Sequence, residues 1–267
     1  MLKLAVIGKD VSKSASPQIH NFIAAELGLE ISYDKISIPE EEFESRITEL
    51  LQSYDGLNVT IPYKLSIIPH LKGIAGDALS FGAVNTVVTS TMTGYNTDGL
   101  GFMQMLESNG VKVCGERVLL LGAGGAGRSV AKKLAEAGAA VEIYDKNSAN
   151  AQAVAAEIAG VTAIESVTAE PRALIINATG VGMHKTEGIS PVSAEILEGC
   201  NVALDLIYEP EKSEFLRIAE ELGKTFINGR AMLFYQAYYS ECYYFDLTPS
   251  PVTAAKLFEK YLKEIVK

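Results

Sequence analysis

The 267-residue sequence contains few of the residues that bind metals or form disulfides: three cysteines and three histidines, and it has no tryptophan. Cys114, Cys200 and Cys242 are widely separated and odd in number, so they fit neither a disulfide framework nor a set of metal ligands. No histidine pair has the spacing of a zinc motif. The cysteine content therefore predicts a cytoplasmic protein, and neither residue type indicates a metal site.

Positive charge and long apolar runs are also scarce. The chain has 23 basic and 33 acidic residues and a formal net charge of −10. Affinity for nucleic acid depends largely on Lys and Arg, so this balance argues against a nucleic-acid partner. No stretch approaches the roughly 20 apolar residues that a membrane helix needs, and the apolar run near the N-terminus is short for a signal peptide. We therefore expect no membrane partner.

What the sequence does contain is typical of a globular α/β protein: 48% of residues are hydrophobic and 21% are charged. Short β-branched runs alternate with helical patterns, which favours α/β architecture with parallel strands, and the length suits one large domain or two modest ones. Strands are predicted at 4–8, 31–38, 56–61, 83–89, 117–121, 141–144, 174–177 and 202–206. Helices are predicted at about 16–27, from 39, and at 128–137, 213–222, 231–244 and 253–266.

A glycine cluster follows the predicted strand at 117–121 and precedes a predicted helix. Gly122, Gly124 and Gly127 match G-x-G-x-x-G, in which the backbone approaches a pyrophosphate at the helix N-terminus. A P-loop is excluded because Arg128 stands where that motif requires lysine. The alternative is a turn that only packs the helix on the strand. The order of strand, glycines, helix and strand favours dinucleotide binding.

An acidic residue at the end of the next strand is the expected ligand of the adenosine ribose hydroxyls. Asp145 occupies that position, directly after the strand at 141–144. A carboxylate repels a 2′-phosphate and favours NAD over NADP. The ammonium group of Lys146 could instead pair with that phosphate, and a solvated turn is the structural alternative for Asp145. The choice of cofactor stays open and leans toward NAD.

Short polar side chains cluster at predicted strand ends in the first hundred residues. Each could be merely structural, but open α/β sheets bind ligands at the carboxyl ends of their strands. Hydroxyls and amides suit a polyhydroxylated ligand, and Lys64 suits a carboxylate or a proton transfer. Asn58 and Thr60 alternate along one predicted strand, so we expect them on one face. The set comprises Ser14, Ser16, Asn58, Thr60, Lys64, Asn85, Asn96 and Asp98.

These motifs, taken in order, resemble the shikimate dehydrogenase family over nearly the whole chain. The most specific match is Asn58-Val-Thr-Ile-Pro-Tyr-Lys64, against the family's N-V-T-x-P-[FY]-K. The others are Ser14-Ala-Ser16-Pro-x-x-His20-Asn21, Gly82-Ala-Val-Asn85-Thr, Gly94-Tyr-Asn-Thr-Asp98-Gly, the glycine cluster, Asn177-Ala-Thr-Gly-Val-Gly-Met183, Asp205-Leu-Ile-Tyr208-x-Pro210 and Asn228-Gly229 with Gln236.

The resemblance implies two α/β domains. Residues 1–100, with 234–267 packing back on them, would form the substrate-binding and catalytic domain, and 101–233 a Rossmann-like domain for NAD or NADP. It implies reversible NADP-linked reduction of 3-dehydroshikimate to shikimate in chorismate and aromatic amino-acid biosynthesis. Lys64 and Asp98 would be catalytic, and Ser14, Ser16, Asn58, Thr60, Asn85 and Gln236 would hold the substrate. The implied cofactor residues are Gly122, Ala123, Gly124, Gly125, Ala126, Gly127, Asp145, Lys146, Thr179, Tyr208 and Gly229.

One departure from the family bears on the cofactor. After the second Rossmann strand the family usually has N-R-[ST]-x-x-[RK], whose basic residues bind a 2′-phosphate, whereas this chain has Asp145-Lys-Asn-Ser-Ala-Asn150. The difference moves the prediction toward an NAD-dependent quinate/shikimate dehydrogenase. A non-catalytic nucleotide sensor on the same fold is the alternative from another class. Retention of Lys64 and Asp98 argues against it. Either a monomer or a homodimer fits.

Overall fold

A computed structural model describes residues 1–266 of the chain. The strands are β1 Leu2–Gly8, β2 Ile31–Ser37, β3 Gly56–Val59, β4 Gly73–Ile74, β5 Thr86–Val88, β6 Thr93–Tyr95, β7 Arg117–Leu121, β8 Ala140–Tyr144, β9 Val161–Ala163, β10 Arg172–Asn177, β11 Cys200–Asp205 and β12 Thr225–Ile227. The helices are α1 Ser16–Glu26, α2 Phe43–Ser53, α3 Asp77–Phe81, α4 Asp98–Ser108, α5 Gly125–Glu136, α6 Ser148–Glu157, α7 Ala194–Glu198, α8 Glu214–Glu221, α9 Arg230–Tyr244 and α10 Pro251–Glu264.

The chain divides into two compact units. The first unit comprises Met1–Gln104 and the segment from Leu233 onward, and the second comprises Met105–Met232. Each unit contains one six-stranded sheet, so the α/β class predicted from the sequence is confirmed. In the part of the chain that the structure describes, no helix is both long and apolar enough to span a membrane.

The sheet of the first unit has the order β2-β1-β3-β5-β6-β4. β1 pairs in parallel with β2 and β3, as the alternating pattern predicts. The prediction of parallel strands is wrong for β5, which runs antiparallel to both β3 and β6, whereas β4 and β6 pair in parallel. Strands of three residues show too little periodicity to indicate their direction, whereas a short connection between β5 and β6 permits a hairpin.

Two further boundaries differ from the sequence prediction. β3 ends at Val59, so Thr60 lies in the following turn and its side chain is not placed by strand alternation with Asn58. The helix predicted from Pro39 begins as a 3-10 turn at Glu40–Glu42 and becomes α-helical at Phe43. Both differences arise where a proline or a tight turn changes the backbone near an element end.

Apolar side chains pack the helices of the first unit against its sheet. One cluster contains the fully buried Ile7, Leu57 and Val84 together with Phe43 from α2. On the side of α1, the ring of Phe22 lies 5.3 Å from that of Tyr261, centroid to centroid, and joins α1 to α10. The C-terminal helices therefore pack within the same unit as the N-terminal strands.

The second unit is a fully parallel sheet with the order β12-β11-β10-β7-β8-β9. Counted from its own first strand, β7, this is the 3-2-1-4-5-6 order of Rossmann domains. The chain leaves β7 toward β8 on one side and later returns to β10 on the other. A ligand-binding crevice forms at such a switch point, outside the carboxyl ends of β7 and β10.

Candidate functional site

In the first unit, Lys64 and Asp98 form an ion pair. Lys64 lies in the turn that follows β3, and Asp98 is the first residue of α4. Lys64 Nζ donates to Asp98 Oδ2 at 2.5 Å, and the two side chains are 28% and 15% exposed. The pair is therefore partly shielded from solvent but open to a ligand. A lysine in this setting can give a proton to an oxygen atom of a bound molecule.

The other oxygen of Asp98 is held by an amide. Asn85 Nδ2 donates to Asp98 Oδ1 at 2.8 Å, and its Oδ1 accepts from the backbone amide of Thr97 at 2.9 Å. Gln236, on α9, accepts from Asn85 Nδ2 through its Oε1 at 3.4 Å. The structure thus brings together Lys64, Asp98, Asn85 and Gln236. Lys64 and Gln236 are 172 positions apart in the sequence.

The two predicted serines meet at the start of α1. Ser14 Oγ donates to Ser16 Oγ at 3.0 Å and accepts from the Ser16 backbone amide at 3.2 Å. Ala15 is the N-cap residue of α1, and no side chain caps this end of the helix. The hydroxyls of both serines therefore lie beside the positive end of the α1 dipole, a favourable place for an anion.

Asn58 lies near the end of β3, and Thr60 is the first residue after that strand. The Thr60 amide donates to the Ile7 carbonyl at 2.9 Å, and the methyl group of Thr60 packs so close to Gly8 that a Cβ there would approach it to 2.6 Å. Asn58 is 6% exposed, and its Nδ2 donates to Ser240 Oγ at 3.1 Å. Asn58 is the more deeply enclosed of the two.

Sequence reasoning missed several members of this cluster. The Tyr33 hydroxyl donates to Asn58 Oδ1 at 2.7 Å, and its ring stacks on His20 at a centroid distance of 4.4 Å. His20 is fully buried and hydrogen bonds Glu241. The sequence signal for Ser240 is its helical spacing: it lies four residues after Gln236 on α9, and therefore on the same face of that helix.

In the second unit, the glycine turn is open where a ligand would lie and closed where the protein packs. A Cβ at Gly124 or Gly125 would meet no atom within 4 Å, whereas a Cβ at Gly127 would lie 2.0 Å from the Gly122 carbonyl oxygen. α5 begins at Gly125 directly after this space. The turn therefore fits the pyrophosphate of a dinucleotide, with Ala123 and Ala126 as its intervening residues.

Asp145 directly follows β8, and its carboxylate hydrogen bonds the glycine turn. Its Oδ2 accepts from the Ala123 amide at 2.7 Å and its Oδ1 from the Asn147 amide at 2.9 Å. Lys146 is exposed beside it. The basic residue nearest the turn in sequence, Arg128, forms an ion pair with Glu157. The acidic group therefore lies where the ribose of a bound dinucleotide would be expected.

The turn after β10 is organised by a buried aspartate. Asn177 Oδ1 accepts from the amide of Thr179 at 3.0 Å and from its hydroxyl at 2.6 Å. Asn177 Nδ2 in turn donates to Asp205 Oδ1 at 3.1 Å. Asp205 is fully buried, and this burial raises the pKa of its carboxyl to about 6, despite the hydrogen bonds that lower it. Thr179 is thus placed at the switch point.

Tyr208 follows β11 and Gly229 follows β12, which is an edge strand of the same sheet. Gly229 donates its amide to the Ile207 carbonyl at 3.0 Å, and a Cβ at Gly229 would lie 2.0 Å from the Leu206 carbonyl oxygen. Burial, and then the charge of Glu209, raise the pKa of the Tyr208 phenol. Gly229 therefore has a packing role that is independent of any cofactor.

Strand order and the open turn are those of proteins that bind a dinucleotide, and the first unit supplies a lysine that can transfer a proton. The class of protein that combines these features is the nicotinamide-dependent oxidoreductase, in which the cofactor carries the hydride and the protein manages the proton. No group of His, Cys, Asp and Glu suited to hold a metal occurs among residues 1–266.

Comparison with known proteins identifies the family. Residues 6–87 match the model of the shikimate dehydrogenase substrate binding domain. The chain is 38% identical over 253 residues to a shikimate dehydrogenase (NADP(+)) of Thermus thermophilus, covering 94% of this chain and 95% of that one. The chain therefore belongs to the shikimate dehydrogenase family.

Two solved structures illustrate the range of that fold. A Thermus thermophilus shikimate 5-dehydrogenase in complex with NADP(H) and shikimate has a TM-score of 0.87 and 36% identity, with 97% of this chain and 99% of that chain covered. A quinate dehydrogenase from Corynebacterium glutamicum in complex with NAD has a TM-score of 0.83 and 27% identity, with 97% and 99% covered. Both cofactors thus occur among similar structures.

Proposed function

We propose that this protein is a shikimate dehydrogenase, which reversibly reduces 3-dehydroshikimate to shikimate with a nicotinamide cofactor. The observation that carries the proposal is the Lys64–Asp98 pair at 2.5 Å, with the second Asp98 oxygen held by Asn85. Such a pair is suited to a carbonyl-to-alcohol conversion, because the product needs one proton at the new hydroxyl oxygen. The reaction would serve aromatic amino-acid biosynthesis in the cytoplasm.

Each residue of the first unit has a distinct task in this proposal. Lys64 donates its proton to the oxygen on which negative charge develops, and Asp98 orients the ammonium group and takes part in the proton relay. Asn85 and Gln236 bind ring hydroxyls, because the Asn85 amide already lies within hydrogen-bonding distance of both Gln236 and Asp98. Thr60 and Asn58 complete the polar lining at the end of β3.

The substrate carboxylate is best accommodated by Ser14 and Ser16. Their hydroxyls lie beside the N-terminus of α1, where a negative charge is stabilised. No arginine or histidine is needed for this task. Because the serines bind the substrate carboxylate at this position, the carboxylate does not compete with Asp98 for the Lys64 ammonium group.

The cofactor residues lie in the second unit, and the nicotinamide ring supplies or accepts the hydride when bound. Gly122 to Gly127 would hold the pyrophosphate, Asp145 the adenosine ribose, and Thr179, Tyr208 and Gly229 would line the remaining crevice. We propose that NAD is preferred to NADP, since the Asp145 carboxylate lies where a 2′-phosphate would bring further negative charge. Lys146 would oppose that preference by its charge.

Initial rates of oxidation test the proposal directly. Shikimate and quinate are each offered with NAD and with NADP to the purified protein. Turnover of shikimate supports the dehydrogenase, and a preference for NAD supports the role of Asp145. Turnover of quinate with NAD favours the quinate/shikimate dehydrogenase alternative, which the Asp145 carboxylate also suits. Absence of turnover in all four combinations would support a nucleotide sensor instead. Light scattering of the same sample distinguishes a monomer from a homodimer.

A further inference from the structure

A buried pair of titratable side chains lies outside the proposed catalytic set. His20 on α1 and Glu241 on α9 are both fully buried, and His20 Nδ1 lies 2.6 Å from Glu241 Oε1. Burying such a pair costs desolvation energy, and replacing it with apolar residues is often neutral or stabilising. A contribution to stability alone therefore does not account for it.

The pair holds the ring of Tyr33. The His20 and Tyr33 rings stack with an interplanar angle of 24°. Because the Glu241 hydrogen bond fixes the orientation of the imidazole, the stacked phenol is fixed as well. The Tyr33 hydroxyl is thereby aimed at the end of β3, where it donates to Asn58 Oδ1 at 2.7 Å.

The Tyr33 hydroxyl also lies close to Ser16. Burial raises the pKa of the Tyr33 phenol well above its usual range, the charge of Glu241 raises it further, and a hydrogen bond with Ser16 acts in the opposite direction. The phenol thus keeps its proton at neutral pH. Ser14 Oγ donates to Ser16 Oγ at 3.0 Å, so a chain of neighbouring polar side chains runs from Ser14 and Ser16 past the Tyr33 hydroxyl to Asn58.

From Asn58 the chain continues toward the proposed catalytic pair. Asn58 Nδ2 donates to Ser240 Oγ at 3.1 Å, and Ser240 Oγ lies 3.3 Å from Thr97 Oγ1. Thr97 precedes Asp98 directly in the sequence. Tyr33 is the link in this chain between the two serines and the amides around Asp98.

We propose that Tyr33, held by the buried His20–Glu241 pair, is a positioning residue that sets Ser16 and Asn58 for the substrate carboxylate and ring. The proposal rests on the proposed function, because it assigns the serines to a carboxylate. Tyr33 acts through its two neighbours and needs no contact with the ligand itself. Loss of its hydroxyl would remove one partner from each neighbour, although Ser16 keeps its bond to Ser14 and Asn58 its bond to Ser240.

Tyr33→Phe tests this directly, because it keeps the stacked ring and removes only the hydroxyl. Dissociation constants are measured by titration for shikimate and for its methyl ester, which lacks the anionic carboxylate. We expect the variant to bind shikimate about tenfold more weakly, the value of one lost hydrogen bond, and to lose less affinity for the ester, because only the ring contact of Asn58 is then affected. KM for shikimate should rise more than kcat falls.

Tyr54→Phe is the matched control, since its hydroxyl donates to the exposed carboxylate of Asp34 and lies outside the chain from Ser14 to Asn58. This variant should bind both compounds like the wild type. Thermal unfolding of each variant ensures that binding is compared between folded proteins. Equal losses for shikimate and the ester, or no loss for either, would overturn the positioning role.

Substitutions of Glu241 keep the proposal testable if Tyr33→Phe folds poorly. Glu241→Gln retains an acceptor for His20 and should preserve shikimate affinity, whereas Glu241→Leu removes the acceptor and should weaken it about as much as Tyr33→Phe. Equal affinity in the two Glu241 variants would contradict the proposed link. Failure of the wild type to bind shikimate would instead refute the proposed function.

Discussion

Gly127 packs directly against the carbonyl oxygen of Gly122. A Cβ atom added to Gly127 would lie only 2.0 Å from that oxygen. This approach lets the first turn of α5 pack directly on the end of β7. Gly124, three residues earlier, faces open space within the same turn. Two glycines of one motif thus serve different purposes, one in packing and one in leaving room for a ligand.

Alanine substitutions at Gly127 and Gly124 should separate the effect on packing from the effect on cofactor binding. Gly127→Ala should lower the free energy of unfolding by about 3 kcal/mol or more, because its Cβ meets backbone that cannot move aside. Gly124→Ala should unfold like the wild type but bind the cofactor more weakly, as its methyl group enters the open turn. Urea unfolding and cofactor titration measure the two effects. Equal stability of the two variants would contradict this distinction.

Removing the amine of Lys64 should reduce turnover far more than substrate binding. A positioned proton donor contributes about a hundredfold to ten-thousandfold, so we expect kcat of Lys64→Ala to fall by at least about a hundredfold while KM changes little. Steady-state kinetics with shikimate gives both constants. Lys260→Ala, which breaks an exposed ion pair with Glu26, is the control. Near-normal kcat with only a raised KM would remove Lys64 from the proton transfer.

The charge of Asp145 should set the ratio of affinities for NAD and NADP. Asp145→Asn keeps one side-chain acceptor near the Ala123 and Asn147 amides but removes the negative charge. We expect the preference for NAD to shift toward NADP by about tenfold, which corresponds to about 1.4 kcal/mol. Dissociation constants of both cofactors, measured by intrinsic fluorescence or calorimetry, give the ratio without any turnover. An unchanged ratio would assign the selectivity to other residues.

Lys146→Ala complements that experiment. Its exposed ammonium group can attract a 2′-phosphate but has no corresponding group to bind in NAD. The variant should therefore lose affinity for NADP alone. A similar loss for both cofactors would show that Lys146 interacts with a part that they share.

The buried carboxyl of Asp205 should make stability depend on pH. Burial raises its pKa from 3.8 to about 6 in the folded protein, so its favourable contribution is complete below pH 3.8 and is lost as the pH rises through 6. Asp205→Asn removes this dependence. Relative to the wild type, the variant should gain about 2 kcal/mol in unfolding free energy between pH 4.5 and pH 7.5.

Urea unfolding of both proteins across that pH range measures the difference. Only its change with pH is informative, because the altered hydrogen bonds to Asn177 and Ser213 contribute a constant offset. Asp246→Asn, at an exposed position, serves as the control substitution. A difference between wild type and Asp205→Asn that does not vary with pH would refute a raised pKa.

The local motifs could be predicted from the sequence because their chemistry lies in adjacent residues. The glycine turn follows a buried strand and begins a helix within a few positions, so its backbone conformation is set by local sterics. Lys64 and Asp98 were assigned by motif resemblance, and the structure places them 2.5 Å apart. Their roles in catalysis remain predictions for the kinetic experiments.

Local motifs could not predict the direction of β5 and β6 or the residue at which β3 ends. β5 and β6 contain three residues each, which is too short for a periodic pattern, and their direction depends on pairing with β3. Thr60 was assigned to the strand because the apolar pattern continues past Val59. In the fold the backbone turns there to direct Lys64 toward Asp98.

The sequence by itself determined the α/β class, the Rossmann turn and the family, since each depends on short runs of residues and their order. Only the tertiary structure decided which distant groups meet. His20 and Glu241 are separated by 221 positions, and neither residue carries a local signal of the other. The raised pKa of Asp205 likewise depends on exclusion of water by side chains from several strands and helices. Burial and long-range pairing are collective properties of the packed chain, so no local pattern specifies them.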